Sequence, residues 1–558
     1  LALAAVGCGG LGGARSPGAR VDGLARSFAG AASIEQSRPG ADALRAYLDL
    51  VDEGLAAGPE GTEAVIAGLD AIFWRVSSGL GRVAGKHALV YRVPGAPAEL
   101  EPRLARAYAR GEGSPPARAL VAEALSDLGR LRGDAAATAT WRARTGSVPA
   151  VAAVGPLDWA PLTGIDRPTP LEAPGAPLLP SYPGVAPFSA KAEPISLERD
   201  DFAFDVRDAG VQPGVYALAV DVEVPRAGRV WLGLQTSASA QLVTYGTPAL
   251  ARPFAAGGNA VFRFGAIEAD AGRCRVVVRF AQNDDGGRFA LWALADDGTP
   301  LRSSAPRPGD RAPARARRPF TWAPSGRAGA SELAAAALLG LGDARAARRL
   351  IEPKAQAPDA PPLAALVWAR AVERADDVPD VRRPERARTA YEKVLRAWPG
   401  SWEATLGKAL YGASRRGAGE GRVETLIELA RARQERPALD PALRAFEGVT
   451  AYEISMYDRA EEALAASAGP LRGTPFLREF EASIRPRVGP EAVAHACGSD
   501  PARDRSDLAC LQRLEQRGDV AGSLAEIARL RALRGSPRAL AGHEAAARLA
   551  AGDSAALL

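Results

Sequence analysis

Chemically versatile side chains are scarce in this sequence of 558 residues, which has three His, four Cys and one Met. So few leave little material for a metal centre or thiol chemistry. They also weaken the case for a histidine-based triad, although distant residues can still meet in space. Aromatic residues make up 6% of the chain, and only five of its 70 Lys and Arg are Lys. The formal charge of +5, with 65 Asp and Glu, is thinly spread. That argues against a nucleic-acid-binding surface. No stretch reaches the roughly 18 uninterrupted apolar residues of a spanning helix, which leaves membrane association to an anchor.

What is present is apolar and rich in connectors. Apolar residues are 47% and charged residues 24%, beside 59 Gly and 44 Pro. At roughly 100–200 residues per domain, three to five domains with long joining segments are expected. The chain opens on Leu1 and runs Leu1-Ala-Leu-Ala-Ala-Val-Gly7-Cys8. An apolar stretch and small residues before a Cys match the end of a secretory signal with a lipid-attachment box at Cys8. Ala5 stands where such boxes usually carry Leu, and no basic leader precedes it. Residues 1–23 are therefore expected to be a signal remnant and tether.

Residues 24–150 carry helical periodicity. Leu44, Tyr47, Leu48, Val51 and Leu55 form one stripe, and Val65, Ile66, Leu69, Phe73 and Val76 form the next after Thr62. A pair near 97–110 and 117–129 follows, then a Gly133-Asp134 turn and a helix to Arg144. Residues 151–198 include Pro168, Pro170, Pro174, Pro177, Pro180, Pro183 and Pro187. Proline lacks a donor and fixes φ, so this reads as a connector without helix or central strand, pinned by Leu157, Trp159 and Ile165.

Over 199–300 the period changes to two. Tyr216, Leu218, Val220, Val222 and Val224 alternate with Ala217, Ala219, Asp221 and Glu223, and Cys274, Val276, Val278 and Phe280 with Arg275, Val277 and Arg279. Further strands are expected near 201–206, 229–236, 240–245, 260–266 and 287–294. The fold class is thus mixed: helical segments flanking an antiparallel β-sandwich, jelly-roll-like. Asn283-Asp-Asp-Gly-Gly287 predicts a hairpin turn, and Cys274 a buried thiol. Residues 301–330, with seven Arg and five Pro, read as a linker.

Helical pattern returns over 331–558. Gly518-Asp519 and Gly552-Asp553 lie 34 residues apart. Gly448, Ala460, Leu464 and Ser467 occupy the positions where a 34-residue unit needs small residues for close helix approach and one larger one to fill the groove. Ser467 replaces the usual Ala. Ala387, Tyr391, Leu395 and Pro399, followed by Trp402, fit the second helix of one unit and the start of the next, and Gly342-Asp343 begins another. The array reaches Leu558 without a polar cap and is expected to be truncated. A generic α-solenoid is the rival reading.

The Cys8 context, the loose 34-residue copies, the segment Val154-Gly-Pro-Leu-Asp158 and the β-domain together resemble large bacterial tetratricopeptide-repeat lipoproteins. The resemblance implies a lipid-anchored envelope protein with its bulk in the periplasm or at the cell surface, acting as a scaffold that holds a peptide or protein partner. Some relatives continue into a transglutaminase-like domain. No catalytic region of that kind is recognisable here, so the chain would be at most the non-catalytic N-terminal portion of such an enzyme or of a protease-like one.

Chemistry within the chain is sparse. Gly79-Leu-Gly81-Arg-Val-Ala84 follows a helix, not a strand, and is not a dinucleotide fingerprint. Gly85-Lys86-His87 lacks the first Gly and the Ser or Thr of a phosphate loop. His495, Cys497 and Cys510 leave three readings open: a Cys497–Cys510 disulfide in an oxidising compartment, unpaired thiols, or an incomplete zinc site. No catalytic residue, metal site or cofactor is assigned, and His543 reads as a surface or packing residue. For glycan binding through the sandwich, the candidate aromatics are Trp231, Tyr245 and Trp292. Trp292 is expected to be exposed, because it lies opposite Phe289 and Leu291 on a face shared with Arg288 and Ala290. An enzyme would instead need converging polar groups near Asp158, Asp166 or Asn283.

Overall fold

The computed structural model describes residues 17–75, 88–160, 164–173, 175–185, 191–199, 203–210, 212–244, 246–252, 261–282, 287–311, 319–321, 330–375, 382–412, 418–435, 437, 440–454, 456–477, 497, 508–534 and 538–553. Helices occupy both ends, and antiparallel sheets lie between them.

The N-terminal helices are α1 (Pro17–Ser37), α2 (Ala41–Ala56), α3 (Thr62–Leu69), α4 (Leu89–Arg92), α5 (Ala96–Ala109), α6 (Pro115–Arg132) and α7 (Ala135–Arg144). The α2 stripe is buried as its spacing requires, and α3 runs on into a π turn over Asp70–Trp74. Ser114 caps α6 by accepting from the Ala117 N–H, and Pro115 and Pro116 sit in the first turn, where a missing donor removes no helical bond.

The strands are β1 (Ala150–Asp158), β2 (Tyr182–Pro183), β3 (Lys191–Ala192), β4 (Ile195–Glu198), β5 (Phe204–Asp205), β6 (Gly214–Val224), β7 (Gly228–Thr236), β8 (Ala240–Thr244), β9 (Thr247–Arg252), β10 (Val261–Ala269), β11 (Gly272–Gln282), β12 (Arg288–Ala295), β13 (Ser303–Ser304) and β14 (Pro319–Thr321). One sheet has the order β4-β1-β6-β11-β8-β9, with β13 also on β6; a second is β14-β10-β7-β12-β5, and β2 pairs with β3 in a two-stranded ribbon. Leu218, Val220, Val276, Val278 and Phe280 from the first meet Leu232, Leu234, Phe289 and Leu291 from the second in a shared core. Cys274 is a buried thiol in the same core.

Three expectations change here. The Pro-rich segment contributes β1, an inner strand of the first sheet. Its Pro156 falls where the β1–β6 register shifts between Val154 and Asp158, so no ladder bond needs the missing N–H. The stretch after β1 then covers the outer face of that sheet: Leu171, Leu178 and Tyr182 pack on Val154, Ala217, Ala219 and Val277. Alanines on the outward side of β6 leave room for this layer. Of the pins expected in that segment, Ile165 is buried against Val215 and Ala281, whereas Trp159 is exposed.

Asn283–Gly287 does not join a hairpin. Residues 283–286 lie outside the described set, but β11 pairs with β6 and β8 while β12 pairs with β7 and β5, so the chain crosses between sheets there. The 301–330 segment is tied down as well, through β13 on β6, β14 on β10, and the Asp310 carbonyl, which accepts from Leu178 N and from Arg275.

The C-terminal helices are α8 (Ser331–Gly340), α9 (Ala344–Ala355), α10 (Pro362–Arg374), α11 (Arg383–Ala397), α12 (Trp402–Gly412), α13 (Ala418–Glu435), α14 (Asp440–Glu453), α15 (Tyr457–Ser467), α16 (Ala509–Gln516), α17 (Val520–Arg534) and α18 (Arg538–Ala550). From α8 to α15 each packs on the next, as do α16, α17 and α18. Ala460, Leu464 and Ser467 are buried on α15. Helix α8 also lies against α3, where a Cβ on Gly340 would stand 3.0 Å from the Asp70 and Ile66 side chains. Phe262 N donates to Leu341 O, and Arg263 pairs with Asp343 at 2.5 Å. The N-terminal helices, α8 and the second sheet therefore share one core, in which Phe262, Phe264 and Trp292 pack with α3, α6 and α8 residues.

Candidate functional site

Among the described residues, a buried group of ionisable side chains lies where α1 meets α10 and α12, a long-range contact that local sequence patterning does not reveal. Glu35, wholly buried, accepts from Arg75 Nη1 at 2.7 Å and from the Tyr47 hydroxyl at 2.7 Å. Arg370 binds Glu403 in a fork, Nε to Oε1 at 2.6 Å and Nη2 to Oε2 at 2.5 Å, and reaches Glu35 at 3.8 Å. Gln36 donates to Glu403 and accepts from Ser401, binding α1 to the start of α12. One shell further out, the Tyr391 and Tyr411 hydroxyls both donate to Glu373, at 2.6 and 2.7 Å.

Burial sets the electrostatics. It pushes the Tyr47 and Tyr391 phenols above their usual range, and the neighbouring Glu35 and Glu373 carboxylates push the same way. Burial and Arg75 both oppose the charge on Arg370, but Glu403 and Glu35 hold it above its ordinary value. Arg92 stacks 4.0 Å over the Trp402 ring and is pulled down to about 10 by desolvation, against the pull of Glu35 and Glu403. The carboxylates and guanidiniums neutralise one another across two chain segments, an arrangement suited to holding elements together. One sequence signal marks it: Leu363–Val372 is apolar throughout except for Arg370.

A surface groove of about 530 Å³ opens between α16, α17 and α18. Val520, Ala546, Ala547 and Ala550 supply its apolar lining, and Gly518, Gly542 and Ser523 keep its walls low. At its edge His543 Nδ1 and Glu515 Oε1 are 2.7 Å apart. His543 thus partners a carboxylate in a groove, a pairing not anticipated from its Ala-rich surroundings. Cys510, in the first turn of α16, is joined to Cys497 by a disulfide with Cα atoms 4.9 Å apart.

The other candidate residues are scattered. Trp292 does share its face of β12 with Ala290, away from Phe289 and Leu291, but that face is covered by helices. It is 2% exposed, with Phe262 at 4.5 Å between ring centroids. Trp231 is 8% exposed beneath α6, its Nε1 donating to Asp296 at 3.0 Å. Neither is a surface for a ligand, so Trp231 and Trp292 are withdrawn as binding aromatics. Cys8, His87, Tyr245, Asn283 and His495 lie outside the described residues. Asp158 and Asp166 come to one end of the first sheet, where Asp158 holds Arg167 at 2.9 Å and Asp166 accepts from Gln241 at 2.6 Å. Among the described residues no cluster of His, Cys, Asp and Glu could hold a metal ion, and no helix is long and apolar enough to cross a membrane.

No family model matches the chain, and the curated proteins compared with it give no match.

Proposed function

We propose that this chain is an interaction scaffold of the bacterial cell envelope, which holds an extended or helical peptide of a partner protein on its C-terminal helical surface. The groove between α16, α17 and α18 carries this reading. Its floor of small apolar side chains accepts an apolar residue of the partner, and the His543–Glu515 pair at its edge offers a polar contact that fixes orientation. The 34-residue spacing of Gly518-Asp519 and Gly552-Asp553 supports a degenerate tetratricopeptide array, in which helix pairs stack to form such grooves. The Cys8 context supports lipid attachment, and the Cys497–Cys510 bridge suits an oxidising compartment. The chain acts by contact and makes or breaks no bond.

Peptide display against the purified chain tests this. Selected peptides should share one apolar anchor and should lose binding at least tenfold, about 1.4 kcal/mol, to Ala546→Arg, which fills the groove from an exposed position. Peptides that bind Ala546→Arg as well as the unaltered chain would remove the groove from the proposal.

A further inference from the structure

Of the residues that line the α16–α18 groove, Glu515 and His543 alone are ionisable. One is on α16 and the other on α18, and both side chains stay partly open, Glu515 at 29% and His543 at 27%. An ionised carboxylate only accepts, so the proton between Oε1 and Nδ1 belongs to Nδ1, and Nε2 of the neutral imidazole is then an acceptor. Glu515 Oε2 and His543 Nε2 take no hydrogen bond among the described residues. Ser523 adds no donor, since its hydroxyl already donates to the Asp519 carbonyl at 2.8 Å. The cations on nearby turns are engaged elsewhere: Arg531 and Arg548 both pair with Glu544, and Arg548 also with Asp553. Arg517 is exposed but does not line the groove. An apolar floor therefore ends in two open acceptors and one negative charge.

We propose that the groove recognises an arginine of the partner peptide, whose guanidinium binds Glu515 Oε2 and His543 Nε2 while a neighbouring apolar residue fills the floor. This deepens the peptide-binding reading of the groove and rests on it. The carboxylate selects a cation, and the setting selects arginine. A guanidinium presents several donors in one plane and meets two acceptors on two helices at once, whereas an ammonium is a compact and more strongly hydrated charge. The aliphatic stem of arginine lies along Val520, Ala546 and Ala550 without setting a polar atom against them. An acidic partner residue would meet Glu515 with like charge, and the imidazole proton it could use is held by Glu515. His543 also fixes the carboxylate before the ligand arrives, so little ordering is lost on binding.

The test selects a random-peptide library displayed on phage against the full chain. Groove binders are the peptides that Ala546→Arg weakens about tenfold or more. They should carry an arginine within about four residues of the apolar anchor. Each is then synthesised with citrulline in place of that arginine, which keeps the shape and removes the charge. On the unaltered chain citrulline should weaken binding about fivefold or more. On Glu515→Gln the two forms should bind within about twofold of each other. Groove binders that lack arginine, or whose citrulline forms bind the unaltered chain equally, overturn this inference and leave the groove itself standing. A citrulline effect undiminished in Glu515→Gln puts the cation elsewhere and overturns it as well. A selection that yields no peptide sensitive to Ala546→Arg overturns both the arginine site and the groove.

Discussion

Tyr391 and Tyr411 aim both hydroxyls at the single carboxylate of Glu373, and all three side chains are buried or nearly so. Ionising Tyr391 there would set a phenolate against a carboxylate out of reach of water, which is why its pKa rises. In the unfolded chain the same phenol titrates near 10. A folded value above the unfolded one means that its contribution is fully present below about pH 10 and is lost as pH rises toward the folded value. In that window the unfolded state sheds a proton that the folded state keeps, so Tyr391 lowers stability by about 1.4 kcal/mol per pH unit. Tyr391→Phe should flatten the alkaline fall by that amount, read from denaturant unfolding at about pH 9, 10 and 11. Equal slopes in parent and variant would show that Tyr391 ionises as freely in the folded chain as in the unfolded one. Sequence patterning placed Tyr391 on the second helix of a repeat unit, but Glu373, 18 residues away, gives no local sign that it will meet the hydroxyl.

At the scale of elements, one turn recurs. Gly133-Asp134, Gly342-Asp343, Gly518-Asp519 and Gly552-Asp553 each place Gly at φ between 69° and 80°. In each, the Asp N–H returns to the carbonyl five residues back, and the Gly N–H to the one three residues back. The first three aspartates then cap the next helix, accepting from Ala137 N, Ala346 N and Gly522 N at 2.8–3.0 Å. A left-handed residue followed by a short acceptor ends one helix and starts another within two positions. These turns were legible because their chemistry is local. Gly518→Ala should cost about 1 kcal/mol through strain at positive φ, and Asp519→Ala about 1 kcal/mol through the lost cap. Amide exchange at the α16–α17 turn should accelerate correspondingly in both, with the α8–α9 turn unchanged. Partner choice between strands was less legible. The alternation of Phe289 and Leu291 on β12 against Arg288, Ala290 and Trp292 separated two faces, yet period two does not say which sheet a strand joins. Nor did it reveal that α6 and α8, far away in sequence, cover Trp292. The inner strand around Pro156 was missed because the tolerated proline sits at a register shift visible only once β6 is in place.

Across the whole molecule, the arrangement turns on Glu35. Helix α1 carries it, Arg75 after α3 neutralises it from one side, and Arg370 and Gln36 link it to Glu403 on α12 from the other. Charges in such a place stabilise little in total, because their desolvation offsets most of their attraction, but removing one member leaves its partner buried and uncompensated. Arg370→Met should therefore cost about 3–5 kcal/mol, and Arg370→Met with Glu403→Leu markedly less. Where the loss appears matters more than its size. The first helical segment shares its core with the second sheet and α8, whereas α10–α15 form a separate core and meet α1 mainly through α12. In Arg370→Met, helix signal from α11–α15 should melt at lower denaturant than the near-ultraviolet signal of Trp231 and Trp292, while in the double variant the two curves should draw together. If the curves coincide in Arg370→Met and only the midpoint falls, the ion pairs act locally and the apolar contacts alone unite the two segments. If they separate, the buried charges are what makes the sandwich and the distant helices unfold as one.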